Sequence, residues 1–154
     1  LISWSFPAAI RLPVNVRNPS ITSATMAPIR KAVKDGEGYR RKGLLESKNQ
    51  AKSRRDLKNA VAYFDRARKS IAKMANAGRK DEALGKELLS LSKEATTGWH
   101  DCLLSLASLS LTTGQFNDAT ASVNTVLADF PKDKEALAMR GRIDSASNDW
   151  GWWH

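Results

Sequence analysis

The sequence is poor in the residues that most often carry chemistry. It has one cysteine, Cys102, and two histidines, His100 and the terminal His154. A lone thiol excludes an internal disulfide and fits a reducing compartment, so a cytoplasmic setting is expected. Two histidines and one cysteine leave no set with the spacing of a zinc site. Glycine-rich phosphate loops and paired catalytic carboxylates are missing as well. No uncharged apolar run approaches the roughly 18 residues of a membrane span. These absences predict a non-catalytic protein with no cofactor, no metal and no membrane-spanning segment. Proline is absent between Pro28 and Pro131, a gap that suits long helices.

Acidic residues are absent from residues 1–34, which carry Arg11, Arg17, Arg30, Lys31 and Lys34. Pro7, Pro13, Pro19 and Pro28 interrupt any regular structure there. Three readings fit this leader: an organelle transit segment, a disordered arm, or translated upstream sequence ahead of a natural start at Met26. The third is preferred, because the apolar residues alternate with proline and show no amphipathic helix period. A transit segment would move the chain from the cytoplasm to a mitochondrion or another organelle. The remaining residues, 35–154, are enough for one helical domain with a real core.

Charge is present in excess but unevenly. The net charge is +9, with 19 Lys/Arg against 5 Asp/Glu in residues 1–80 and 6 against 11 in residues 81–154. A basic half attracts acidic protein segments, nucleic acid or an anionic membrane surface, whereas the simplest use of such residues is to solvate long helices. The run from Arg40 through Lys48 to Lys58 has only Tyr39 nearby, so the stacking platform of single-strand binders is not visible. A protein partner with an acidic segment is therefore expected ahead of nucleic acid, and a basic RNA- or ribosome-associated helical protein is the alternative.

Periodicity divides the domain into helices. One is expected from about Gly38 to Lys52. A second follows through Leu57, Ala60, Val61, Phe64, Ala67, Ile71 and Met74 at i, i+3, i+4 spacing, with Asp56 as its N-cap and Gly78 near its end. A third spans about Asp81 to Ser110, with Gly98 either bending it or being carried through at a cost of about 1 kcal/mol. Thr112–Gln115 reads as a tight turn, followed by a return helix over Phe116–Phe130 with Asn117 or Asp118 near its cap, a stop at Pro131 and a last helix from Lys132 to about Ser147. The cluster Trp99–His100–Asp101–Cys102 holds three reactive types, but neighbours on a helix point in different directions and do not converge on one point.

Two stretches echo each other 34 residues apart: Leu103 with Leu137, Ala107 with Gly141, and Phe116 with Trp150. The run Leu103, Ala107, Gly114, Phe116, Ala119, Val123, Val126 and Pro131 resembles a tetratricopeptide repeat, a helix–turn–helix unit of about 34 residues. Gly43, Ala60, Phe64 and Ala67 match an earlier, stretched unit. A third unit begins at Leu137 and Gly141 and stops before its second helix, so that Trp150, Trp152 and Trp153 either cover the open end of the groove or mark a fragment. The resemblance is to the domains of co-chaperones, FK506-binding immunophilins in particular. It implies an all-α fold of antiparallel helix pairs stacked as a short right-handed superhelical array, and an adaptor that binds a peptide or helix of a partner.

The same resemblance implies where binding occurs. In the co-chaperones a carboxylate clamp on the first helices grips a chaperone C-terminal tail. The corresponding positions here are Arg40, Leu44, Ser105, Glu135 and Met139, and only Arg40 keeps the cationic character. A reversed charge at Glu135 opposes an acidic tail, so the familiar clamp is not reproduced. The groove expected from this register is lined by Arg40, Leu44, Lys48, Ser105, Ser108 and Met139.

Overall fold

The computed structural model describes residues 23–45, 48–74 and 82–153, and of residues 23 and 150–153 only the helical backbone. Five helices make up the described chain: α1 (Ser23–Leu45), α2 (Gln50–Met74), α3 (Glu82–Thr112), α4 (Phe116–Asp129) and α5 (Lys134–Trp153). The protein is all-α, and the described residues contain no strand. Successive helices pack as antiparallel neighbours. Arg54 near the start of α2 meets Ser110 near the end of α3, and Arg68 near the end of α2 lies over Trp99 in mid-α3.

The first helix begins well ahead of residue 35, where the sequence alone sets the boundary of the folded domain. Met26, Ile29, Ala32 and Val33 are all buried on α1 in the common core. Pro28 lies inside α1 on its exposed side. It removes one helical hydrogen bond near the start of α1, and the buried Met26 and Ile29 on either side supply packing that offsets the loss. Residues 1–22 lie outside the described residues, as do the expected helix stop at Gly78 and the side chains of the three C-terminal tryptophans.

The corner between α1 and α2 also differs from expectation. The helix expected over Gly38–Lys52 breaks after Leu45, and α2 starts at Gln50 rather than at Asp56. Asn49 is the cap: its side-chain oxygen accepts the backbone N–H of Lys52 at 3.1 Å. Asp56 instead lies buried in the second turn of α2. The Ser53 hydroxyl donates to the Gly43 carbonyl at 2.5 Å and ties the two helices together. A Cβ on Gly43 would stand 2.7 Å from Leu57 Cγ, so the small residue there is a packing requirement.

Helix α3 runs unbroken through Gly98. Phe64 of α2, fully buried, sits between Gly36 of α1 and Gly98 of α3, and a Cβ at either glycine would fall within 3 Å of its ring. One aromatic ring therefore fills the space where three helices meet. Gly114, at φ +73°, closes α3: Gln115 N–H reaches the Ser110 carbonyl at 2.8 Å and Gly114 N–H the Leu111 carbonyl at 3.2 Å. The turn lies where Thr112–Gln115 was expected. The side chain of Gln115, the N-cap residue of α4, makes no cap hydrogen bond, and Asp118 occupies the first turn. Asp133 caps α5 through the Ala136 N–H at 2.9 Å.

The 34-residue echo does not carry equal surroundings. Leu103 and Ala107 are buried, whereas Leu137 is 46% exposed and a Cβ on Gly141 would touch nothing within 4 Å. Helix α5 uses Ala136, Ile143 and the half-buried Met139 to pack on the core. Leu137 and Gly141 are both exposed.

Candidate functional site

Odd-numbered helices form one face. Helix α1 packs on α3 and α3 on α5, while α2 and α4 have no close backbone contact with each other. The even-numbered helices are instead spanned by side chains: Arg68 reaches Asp129 at 2.8 Å, and Arg54 approaches Asp118 at 3.9 Å.

On the odd-helix face, charged side chains link α1, α3 and the start of α5. Arg40 donates from Nη2 to Asp101 Oδ2 at 2.8 Å and from Nη1 to Glu37 Oε1 at 3.2 Å. Asp101 Oδ1 lies 3.2 Å from His100 Nδ1, and His100 Nε2 lies 2.8 Å from Asp133 Oδ2. Burial of the imidazole opposes its charge, but hydrogen bonds to Asp133 and Asp101 more than offset this and hold its pKa above the ordinary value. Asp133 is shifted the other way. Burial opposes its ionisation, while the Ala136 N–H and His100 favour it and hold its carboxyl below the ordinary range. One carboxylate thus caps α5 and ties it to α3. Further along, Arg30 of α1 holds both carboxylate oxygens of Glu87 on α3.

A shallow cleft of about 300 Å³ opens between α1 and α3, lined by Glu37, Arg40, Ser90, Lys93, Glu94 and Thr97. It offers two cations, two carboxylates and two hydroxyls, with no excess of either charge.

The expected groove residues divide in this frame. Arg40 and Leu44 lie one turn apart on α1, and Asp101, Ser105 and Ser108 share a stripe on α3. The Arg40–Asp101 contact sets the two stripes side by side. Leu44 is 53% exposed there, and Ser105 and Ser108 are half-buried. Lys48 lies in the exposed turn after α1, outside the helical stripe, and Met139 belongs to the packing of α5. The guanidinium of Arg40 is held by two carboxylates of this chain.

Sequence reasoning missed three arrangements: the partners of His100, the surroundings of Trp99 and the pairing of Tyr39. His100 and Asp101 do touch, and Asp133 joins them from the α4–α5 corner, where its place as a cap was the available signal. Trp99 turns the other way: Arg68 lies 3.9 Å over its ring, and Phe130 meets it edge-on at 6.3 Å. Cys102 is buried, and burial pushes its thiol up to about 12, far from a nucleophile's range. Tyr39 is joined by Tyr63, whose ring stacks on it at 5.5 Å; Lys42 and Arg66 lie over the two rings.

Four arginines of the basic half, at 30, 40, 54 and 68, each pair with a carboxylate of the acidic half. Part of the charge asymmetry is therefore complementarity within the chain. Among the described residues no group of three or more His, Cys, Asp or Glu could hold a metal ion, and no helix is long and apolar enough to cross a membrane. No protein-family model, curated protein or solved structure matches the chain.

Proposed function

We propose that this chain is a non-catalytic interaction module of the tetratricopeptide type, an adaptor whose α1–α3–α5 face receives a peptide or helix of a partner protein. The observation that carries the reading is the direct packing of α1 on α3 and of α3 on α5, with the even-numbered helices joined only through side chains. Stacked helix pairs of this kind present an extended face rather than an enclosed reaction centre. Leu44 and the hydroxyls of Ser105 and Ser108 give that face one apolar and two polar points of contact.

The mode of capture differs from a carboxylate clamp. Arg40 is committed to Asp101 and Glu37, and the neighbouring cleft is balanced in charge. An acidic segment would be drawn by the exposed Lys48 and Arg41 at the edge of the face, while its apolar side chains meet Leu44. Titration of the isotopically labelled chain with an acidic peptide bearing a free C-terminal carboxylate tests this. Chemical-shift changes are expected at Leu44, Ser105 and Ser108. No change anywhere up to roughly millimolar peptide, the weak end of specific recognition, would overturn the reading.

A further inference from the structure

The solvent side of α2 has a chemistry unlike that of the α1–α3–α5 face. Lys52, Arg55, Lys58, Arg66, Lys69 and Lys73 are all exposed there. At about 100° per residue they fall on one side of the helix, opposite the buried Leu57, Ala60, Phe64, Ala67 and Ile71. From Lys52 to Lys73 the stripe is about 32 Å long at the usual rise per residue. One carboxylate lies within it, Asp65, which pairs with Lys69 at 2.8 Å. The arginines that serve the fold, Arg54 and Arg68, point away from this stripe to Asp118 and Asp129.

We infer that this stripe is a docking surface for the phosphate backbone of a nucleic acid, separate from the adaptor face and independent of it. Two observations favour a polyphosphate over an acidic protein. The exposed large apolar side chains of the described residues are Leu44, Leu45, Leu89 and Leu137, none of them on α2. A protein interface needs a desolvated apolar or aromatic centre, and this stripe offers none. Its attraction must come from charge, and counterion release favours a partner of high linear charge density. The stacked tyrosines at the edge of the stripe do not read bases. Each ring faces the other tyrosine and carries a cation, Lys42 or Arg66, so the pair holds cationic heads in place. Binding is accordingly indifferent to base sequence.

The test uses the full chain and a fluorescent oligouridylate of about 20 nucleotides, long enough to cover the stripe, read by anisotropy. Affinity should fall steeply between about 50 and 200 mM salt and be unchanged with a mixed-sequence strand. The triple variant Arg66→Gln, Lys69→Gln, Lys73→Gln should weaken binding about tenfold or more. It should also flatten the salt dependence by roughly 0.7 for each phosphate that is no longer neutralised. The control Lys31→Gln, Lys34→Gln on α1 should bind as the parent does. Circular dichroism of both variants should match the parent, because the substituted side chains are exposed. Absence of binding at low salt, a triple variant that binds like the parent, or equal competition by polyglutamate would each overturn the inference. The last would point to an acidic protein instead.

Discussion

The ring of Phe64 lies so close to Gly98 that a Cβ added to the glycine would overlap the ring's Cζ. A Cβ added to Gly36 would likewise stand 2.9 Å from the same ring, so the backbones of α1 and α3 both crowd it. Gly98→Ala should therefore destabilise the fold by about 1–3 kcal/mol through overpacking, less the ~1 kcal/mol that alanine returns in helix propensity. Phe64→Ala should cost about 3–5 kcal/mol by leaving a cavity among three helices. Urea unfolding measures both. A Gly98→Ala variant as stable as the parent would show that the crossing can widen without cost.

Between Asp101 and Asp133, His100 makes the docking of α5 depend on pH. The folded-state pKa of His100 is raised above its unfolded value, so its contribution is complete below about 6.5 and is lost as pH rises through the folded value. The folded-state pKa of Asp133 is depressed, so its contribution is present above about 3.9 and is lost as pH falls through its lower folded value. Hydrogen exchange at Ala136 and Leu137, corrected for the intrinsic rate, should show protection falling as His100 loses its proton. In His100→Gln that step should vanish while the acid limb remains. An imidazole titration at or below the ordinary value would contradict the geometry.

Arg40 and Asp101 should couple. The pair is partly buried, and Arg40 Nε is buried with no hydrogen-bond partner among the described residues, so the guanidinium depends on the contacts of its two terminal nitrogens. A double-mutant cycle with Arg40→Gln and Asp101→Asn should give an interaction of about 0.5–3 kcal/mol. Because Arg40 is already engaged, Arg40→Gln should weaken an acidic peptide by less than about threefold, below the 1.4 kcal/mol that marks a tenfold change.

Arg68 combines a ring contact with an ion pair, lying over Trp99 and bonding to Asp129. Lysine cannot reproduce a planar group stacked on indole while donating sideways to a carboxylate. Arg68→Lys should cost about 1 kcal/mol, in the range of a partly desolvated cation–π contact. Thermal unfolding gives the loss, and a shift in tryptophan emission reports the altered ring environment.

Cys102 should be inert in the folded chain. With its thiol pushed up to about 12 by burial, almost no thiolate exists near neutrality. A thiol reagent should label it at the rate of unfolding, and labelling as fast as that of a free thiol would place the side chain at the surface.

The helix pattern was legible wherever burial repeats every three or four residues. Leu57 to Ile71 declares α2, and Thr112–Gln115 declares the turn, because a left-handed glycine and a run of polar residues have few other uses. The start of the fold was not legible. Proline at position 28 reads as a break, and only packing against α2 and α3 makes the turn around it worthwhile. Asp56 and Asn49 are both good caps by residue type, and the choice between them was made by where α1 and α2 cross. Of the expected groove, Arg40 and Leu44 share a stripe of α1, and Arg40 meets Asp101 on the α3 stripe that carries Ser105 and Ser108, while Lys48 lies in the corner after α1 and Met139 packs against the core.

By itself the sequence determined an all-helical chain, its internal period and the separation of basic from acidic residues, because each is a property of order along one strand of polymer. Only the tertiary structure decided what the charges do. Pairing depends on distances between residues some sixty positions apart, as in Arg40–Asp101 and Arg68–Asp129. The same folding that turns four arginines inward onto carboxylates leaves a row of six cations on the outer side of α2 with one carboxylate among them.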